Sequence, residues 1–127
     1  MKKTIDWDEF KRDISGVSFY DEKAFVASRS KDYYWYSPLL SEVLEDKVGD
    51  IVVIPSNQTE VMKVAAAVAK HKIPLTIRGG GTGNYGQCVP LEGGVIMITT
   101  KLNKIIKFKK KSVLTEAGIR ISRLDDA

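Results

Sequence analysis

Cys88 and His71 are the only cysteine and the only histidine in this chain. A lone cysteine excludes an internal disulfide and suits a reducing cytosol, which is the expected location. One Cys and one His cannot supply a ligand cluster, so no metal is expected. No apolar run approaches the roughly 20 residues that cross a bilayer. Met1-Lys2-Lys3-Thr4-Ile5-Asp6-Trp7 has basic residues with no apolar stretch behind them, unlike a secretory leader. Internal repeats, linkers and low-complexity segments are also missing. Within 127 residues there is room for one domain, and 43% hydrophobic with 28% charged residues is ordinary for a globular chain that can bury a core.

The formal net charge is +4, much of it in Lys101, Lys104, Lys107, Lys109, Lys110 and Lys111. Such a cluster can mark a nucleic-acid partner. Here the lysines alternate with Ile105, Ile106 and Phe108, as on the solvent side of a strand leading into a turn. No recognition helix or stacking face accompanies them, and no nucleic acid is expected.

Coarse periodicity divides the chain into an N-terminal helical and aromatic extension, 1–48, and a sharper α/β-like part, 49–127. Asp6 and Glu9 precede Phe10 and Ile14 as a cap for a first short helix. A second helix is expected over Asp21–Ser28 and a third over Leu39–Glu45. Between them, the four aromatics Tyr33-Tyr34-Trp35-Tyr36 read as a packed loop that plugs a gap between helices and sheet. Ile51-Val52-Val53-Ile54 is apolar on both faces, as in an interior strand. Asn57 with Glu60 caps a helix whose apolar face is Val61, Val64, Ala65 and Val68. After Pro74, Leu75-Thr76-Ile77 reads as a second buried strand, parallel to the first in a βαβ unit. Three more extended runs follow, Val95–Thr99, Lys104–Phe108 and Ser112–Glu116, and Ile119–Ala127 reads as the opening of a helix.

Five of the ten glycines fall between Arg78 and Gly86, in Arg78-Gly79-Gly80-Gly81-Thr82-Gly83-Asn84-Tyr85-Gly86. So many glycines have no use in a core, where each costs backbone entropy. They suit a main chain that turns sharply and converges its N–H groups on an anion, above all phosphate. The loop begins at the carboxyl end of a strand, where open α/β sheets bind ligands. Gly81–Gly86 also satisfies G-x-G-x-x-G. A Rossmann reading needs a helix starting inside the motif, and Pro90, Gly93 and Gly94 forbid one. A kinase reading needs H-R-D and D-F-G sequences further on, and neither occurs. No Gly-Lys-Ser/Thr ends the run, so a Walker loop fails as well.

These residues resemble the flavin-linked oxidases and dehydrogenases of the vanillyl-alcohol oxidase, or p-cresol methylhydroxylase, type. The resemblance runs through Ile51–Asn57, Pro74–Gly83, Gly94–Ile98, Leu102–Ile105 and Glu116-Ala117-Gly118. Asp32–Pro38 and Asn84–Gln87 look like the glycolate oxidase and D-lactate dehydrogenase branch. The fold it implies is α+β: a βαβ unit with further strands, the first lobe of a PCMH-type FAD-binding domain, preceded by short helices. It implies FAD, with Arg78, Gly79, Gly80, Gly81, Thr82 and Gly83 around the pyrophosphate and Asn84, Tyr85, Gly86 and Gln87 continuing towards the flavin. Pro55 would lie near the adenine half and Gly118 would border the cleft.

Some members attach FAD to a histidine in this loop. Thr82 stands at that position here, so the resemblance implies non-covalent FAD. It also implies a second lobe and a substrate domain carrying the catalytic residues, neither of them in this sequence. The chain is therefore expected to be a portion of an FAD-linked oxidoreductase of small 2-hydroxy acids, inactive alone, partnered by the remaining half of the flavoprotein or by a second copy. A non-catalytic nucleotide-binding or assembly subunit of a split flavoenzyme, or a truncated fragment without activity, are the alternatives. No residue stands out as a catalytic base. A valine at Gly81 is expected to fill the phosphate space with little change in fold.

Overall fold

The computed structural model describes residues 4–127; the reading of Met1-Lys2-Lys3 lies outside them. Helix α1, Trp7–Asp13, starts where Asp6 accepts the Glu9 amide at 2.9 Å, and its acidic first turn and basic last turn suit the helix dipole. Strand β1, Ser18–Tyr20, follows. Helix α2 spans Lys23–Arg29, a single 3-10 turn covers Tyr34–Tyr36, and helix α3 runs Pro38–Leu44 with Ser37 as its cap. Strand β2 is Ile51–Ile54. Helix α4, Gln58–His71, has the expected cap: Asn57 accepts the Glu60 amide at 2.9 Å while Glu60 accepts the Ser56 amide at 2.6 Å. Strand β3 is Leu75–Arg78, β4 is Val95–Ile98, β5 is Ile105–Phe108, β6 is Val113–Thr115, and helix α5 is Ile121–Asp125.

The first four strands form one sheet in the order β1-β2-β4-β3, and β5 and β6 make a separate antiparallel hairpin. β4 is parallel to both β2 and β3, and β1 closes the β2 edge antiparallel. The two strands of the expected βαβ unit are therefore parallel but not adjacent, because β4 inserts between them.

That insertion overturns one expectation. β3 is an edge strand, and Ile77 is 57% exposed. The fully buried central strand is β4, whose four residues are buried on both faces. Only a strand with neighbours on each side and layers on each face needs a continuous apolar run. β1, three exposed residues, was not expected at all; it exists by pairing with β2 and not by burial.

Alternation along β2 and β4 sorts the core into two layers. Ile51, Val53, Val95 and Met97 meet Phe10, Ile14, Val17, Val64, Ala67, Val68 and Ile73, from α1, α4 and their flanks. Val52, Ile96 and Ile98 face the other way, onto Val26 of α2. The described residues before β2 thus pack on the strands that follow. Of the four aromatics, Tyr34 alone is buried, against Leu44 and Val89. Trp35 and Tyr36 are exposed and stack on each other at 3.9 Å. With three residues per 3-10 turn, neighbours point in different directions and only one can plug the gap.

Candidate functional site

Parallel strands bring their carboxyl ends to one edge of the sheet, and here that edge gathers Pro55 after β2, Arg78 and Gly79 at the end of β3, and Thr99 after β4. The Thr99 amide donates to the Arg78 carbonyl at 2.9 Å. Gly118 is held at the same edge: its amide donates to Leu102 O at 2.8 Å, and a Cβ there would sit 1.7 Å from Thr99 O. The positions expected to touch cofactor at Pro55, Arg78–Gly83 and Gly118 are thus brought together by topology.

Within the loop, the amides divide into two groups. Among the described residues, those of Gly79, Gly80, Gly81, Thr82, Gly83 and Asn84 have no protein acceptor. The next two are engaged: the Tyr85 amide donates to Gln87 Oε1 at 3.2 Å and the Gly86 amide to Asp32 Oδ2 at 2.9 Å. Gln87 therefore folds back onto the loop, and Gly86 packs against Leu44, whose Cδ1 lies 2.5 Å from where a Cβ would be. Asn84 and Tyr85 point outward beside Tyr36 and Ser37, lining a shallow depression of about 430 Å³.

Arg78 is the floor of this cradle. Its side chain is buried, and Nη1 donates to the carbonyls of Arg29, at 3.1 Å, and Lys31. The same nitrogen lies 3.5 Å from the Cys88 sulfur. Nη2 and Nε have no protein acceptor among the described residues. The guanidinium lies under Gly81: a Cβ at that residue would be 2.0 Å from Nη2 and 2.7 Å from Nε. Gly81 also has φ +68°, a backbone that favours glycine. The reason for glycine at this position is thus the guanidinium beneath it as well as any ligand above it. Valine at Gly81 would disturb the fold, contrary to expectation. At Gly79 a Cβ meets nothing within 4 Å, and at Gly80 only Thr82 Cγ2 at 3.7 Å, so those two border open space.

Burial raises the Cys88 thiol above its ordinary pKa while the Arg78 guanidinium pulls the other way. The thiol stays protonated at neutral pH and is no nucleophile. His71 sits at the opposite, amino edge of the sheet, at the end of α4. Its Nε2 is 2.7 Å from Asp13, and Lys70 Nζ is 2.8 Å from both Glu9 and Asp13. Ligand atoms of Glu9, Asp13 and His71 lie within 4.8 Å of one another, a convergence that counting Cys and His alone overlooked. The Lys70 ammonium supplies the cation there. A cavity of about 450 Å³ opens beside this network, larger than those near the loop but remote from it. Among the described residues, no helix is long and apolar enough to cross a membrane.

Asp32 is the site residue that sequence reasoning passed over. Its carboxylate is buried, with Oδ1 accepting the Tyr34 amide at 2.8 Å and Oδ2 accepting that of Gly86. The local signal was an Asx turn, an Asp whose side chain accepts from the amide two residues on. The contact to Gly86, 54 residues away, had no local signal.

The cradle fits a pyrophosphate. It presents free amides that a side chain would obstruct, a cationic edge without a carboxylate in ion-pair range, and a place at the carboxyl end of a parallel strand. Together the fold and the cradle define an α+β domain with a run of free main-chain N–H groups at the carboxyl edge of its sheet. Residues 49–127 match the family described as FAD binding domain, and the chain belongs to that family. FAD is the cofactor this membership brings.

D-lactate dehydrogenase of Archaeoglobus fulgidus is 36% identical over 78 residues, covering 61% of this chain and 18% of that protein. Glycolate oxidase subunit GlcD of Bacillus subtilis is 26% identical over 76 residues, covering 60% and 16%. The match thus spans less than a fifth of the length of these relatives. Among solved structures, alkyldihydroxyacetonephosphate synthase superposes with a TM-score of 0.77 at 18% identity, over 94% of this chain and 26% of that one. p-Cresol methylhydroxylase with substrate bound gives 0.72 at 23% identity, over 94% and 23%. The fold is that of the PCMH-type FAD-binding domain, as the resemblance implied.

Proposed function

We propose that this chain is the pyrophosphate-binding portion of an FAD-linked oxidoreductase acting on small 2-hydroxy acids. The observation that carries the reading is the run of free amides from Gly79 to Asn84 above Arg78, whose Nη2 and Nε have no protein acceptor among the described residues. When bound, FAD supplies the redox chemistry, and the protein supplies position and electrostatics. Gly79–Asn84 would donate to the phosphate oxygens from one side while Arg78 sets a positive charge beneath them. Asn84 and Tyr85 would border the cofactor beyond the phosphates, with Pro55 and Gly118 lining the cleft at the same sheet edge. The engaged amides of Tyr85 and Gly86 leave those two residues to shape the loop, and Gln87 supports them. Thr82 offers no imidazole, so FAD is held without a covalent bond.

Among the described residues, neither His71, tied to Asp13 at the far edge, nor Cys88, which is protonated, is placed to take a substrate proton. The base and the substrate pocket are therefore assigned to further polypeptide, and this chain alone is inactive. The D-lactate dehydrogenase and glycolate oxidase relatives support the 2-hydroxy acid class, and a reducing, cytoplasmic setting suits a single free thiol. A partner is needed at the exposed apolar positions Ile77, Ile106, Phe108 and Leu114, on the edge strand and the hairpin; the remaining part of the flavoprotein or a second copy would cover them. Calorimetric titration with FAD, ADP and AMP tests the site. FAD and ADP should bind, and AMP, which lacks a pyrophosphate, should bind about tenfold or more weakly, as the loss of a charge-assisted hydrogen bond or two implies. Equal affinity for ADP and AMP would remove the assignment.

A further inference from the structure

We propose that Asp32 is the positioning residue of the cradle, its carboxylate fixing the arc of the glycine loop so that the Gly79–Asn84 amides converge on the pyrophosphate. The inference rests on the reading of that loop as the FAD pyrophosphate site and assigns a residue from the N-terminal segment to it.

Asp32 is 5% exposed and has no ion-pair partner among the described residues. A carboxylate buried in this way is retained only where its oxygens are hydrogen-bonded. Both are, and both to backbone: Oδ1 to the Tyr34 amide at 2.8 Å and Oδ2 to the Gly86 amide at 2.9 Å. One residue further on, the Tyr33 amide donates to the Gly83 carbonyl at 2.9 Å. Asp32 and Tyr33 thus grip the loop on both sides of its Gly83–Gly86 turn, and the acceptor for Gly86 is a carboxylate. Oδ2 also lies 3.4 Å from where a Gly83 Cβ would be, so the carboxylate backs the loop directly.

A glycine-rich segment loses more backbone freedom on ordering than any other. A loop ordered only when ligand arrives gives up affinity to that ordering, and one ordered beforehand does not. The Asp32 clamp does the ordering in advance. It also divides the labour of the amides: Gly86 is satisfied internally by a built-in anion, which leaves Gly79–Asn84 for the ligand's. The geometry requires both carboxylate oxygens. Asparagine at this position keeps the volume but has one acceptor oxygen, and its NH2 would face an N–H on the other side.

The test combines ADP affinity with amide hydrogen exchange on the full chain. Asp32→Ala, with folding verified by circular dichroism, should weaken ADP binding about tenfold or more, the scale of a charged hydrogen bond lost. Exchange at Gly86 and Tyr34 should accelerate. Asp32→Asn should fall between wild type and Asp32→Ala, with faster exchange at one of the two amides. If Asp32→Ala does not fold, Asp32→Asn decides. A folded variant that binds ADP within about twofold of wild type, the ordinary range for a neutral substitution, overturns the proposal, as does unchanged exchange at both amides. Failure of the wild-type chain to bind ADP or FAD removes the pyrophosphate reading itself, whereas wild-type binding unaffected by the Asp32 variants removes this inference alone.

Discussion

Replacing Gly81 by alanine should damage the fold first, whereas the same replacement at Gly80 should damage binding and leave the fold intact. Gly81 has φ +68°, which costs an L-residue about 1–2 kcal/mol. Its new Cβ would also stand 2.0 Å from Arg78 Nη2 and 2.2 Å from Cζ, so the guanidinium has to leave. Moving it breaks at least one charged hydrogen bond from Nη1 to the Arg29 or Lys31 carbonyl, worth about 1.5–3 kcal/mol. The sum, about 2.5–5 kcal/mol, is a large part of an ordinary domain stability of about 5–15 kcal/mol. At roughly 4 °C per kcal/mol for a chain of this size, Tm should fall by about 10–20 °C. Gly80 is outside the left-handed region, and its Cβ would meet Thr82 Cγ2 at an ordinary 3.7 Å. There the loss of a glycine stabilises, by about 0.4–1 kcal/mol, through the unfolded chain, while the added methyl narrows the open face above Arg78. Thermal unfolding by circular dichroism and titration with ADP read the two effects separately. A Gly81→Ala chain that melts with wild type, or a Gly80→Ala chain that binds ADP as wild type does, would contradict these roles for the two glycines.

Ile96→Ala, at the buried centre of β4, should cost about 2–5 kcal/mol by leaving a cavity between two layers; Ile106→Ala on the exposed hairpin should stay within about 0.5 kcal/mol, as urea unfolding would measure. Hydrogen bonds from Lys70, then His71, hold the Asp13 carboxyl below its ordinary pKa of 3.8. A depressed folded-state pKa adds stability above the unfolded value and loses it as pH falls through the folded one. The Tm advantage of wild type over Asp13→Asn should therefore be full at neutral pH and vanish on acidification below the ordinary carboxylate range; an advantage that persisted in strong acid would contradict the ion-pair account. Acid or denaturant should release FAD and leave a colourless polypeptide, and a flavin mass adduct on the denatured chain would contradict non-covalent binding.

Local signals carried the part of this molecule that short-range physics decides. The Asn57–Glu60 cap, the extended runs at β2 and β4, the glycine cluster and most of the apolar face of α4 were legible because each depends on residues a few positions apart; Ala65, expected on that face, is exposed and Ala67 is buried in its place. The sheet order was not. Nothing near Val95 says that it will enter between β2 and β3, and that choice made β3 an exposed edge where a buried strand was expected. Asp32 and Gly86 are 54 residues apart, and Asp13 and His71 are 58 apart; both contacts exist only after the helical layer closes on the sheet. The reason for glycine at position 81 was half legible, since the loop's conformation was foreseen and the arginine folded beneath it was not.

Titrating ADP into isotopically labelled protein and following amide resonances tests, at the residues concerned, whether the Gly79–Asn84 amides hold the pyrophosphate of FAD. The amides of Gly79 through Asn84 should move on binding, together with the Arg78 Nε signal, while Gly86, already bonded to Asp32, moves least within the loop. Saturable binding that leaves Gly79–Asn84 unmoved and shifts residues elsewhere, such as those lining the cavity beside His71, would contradict that assignment.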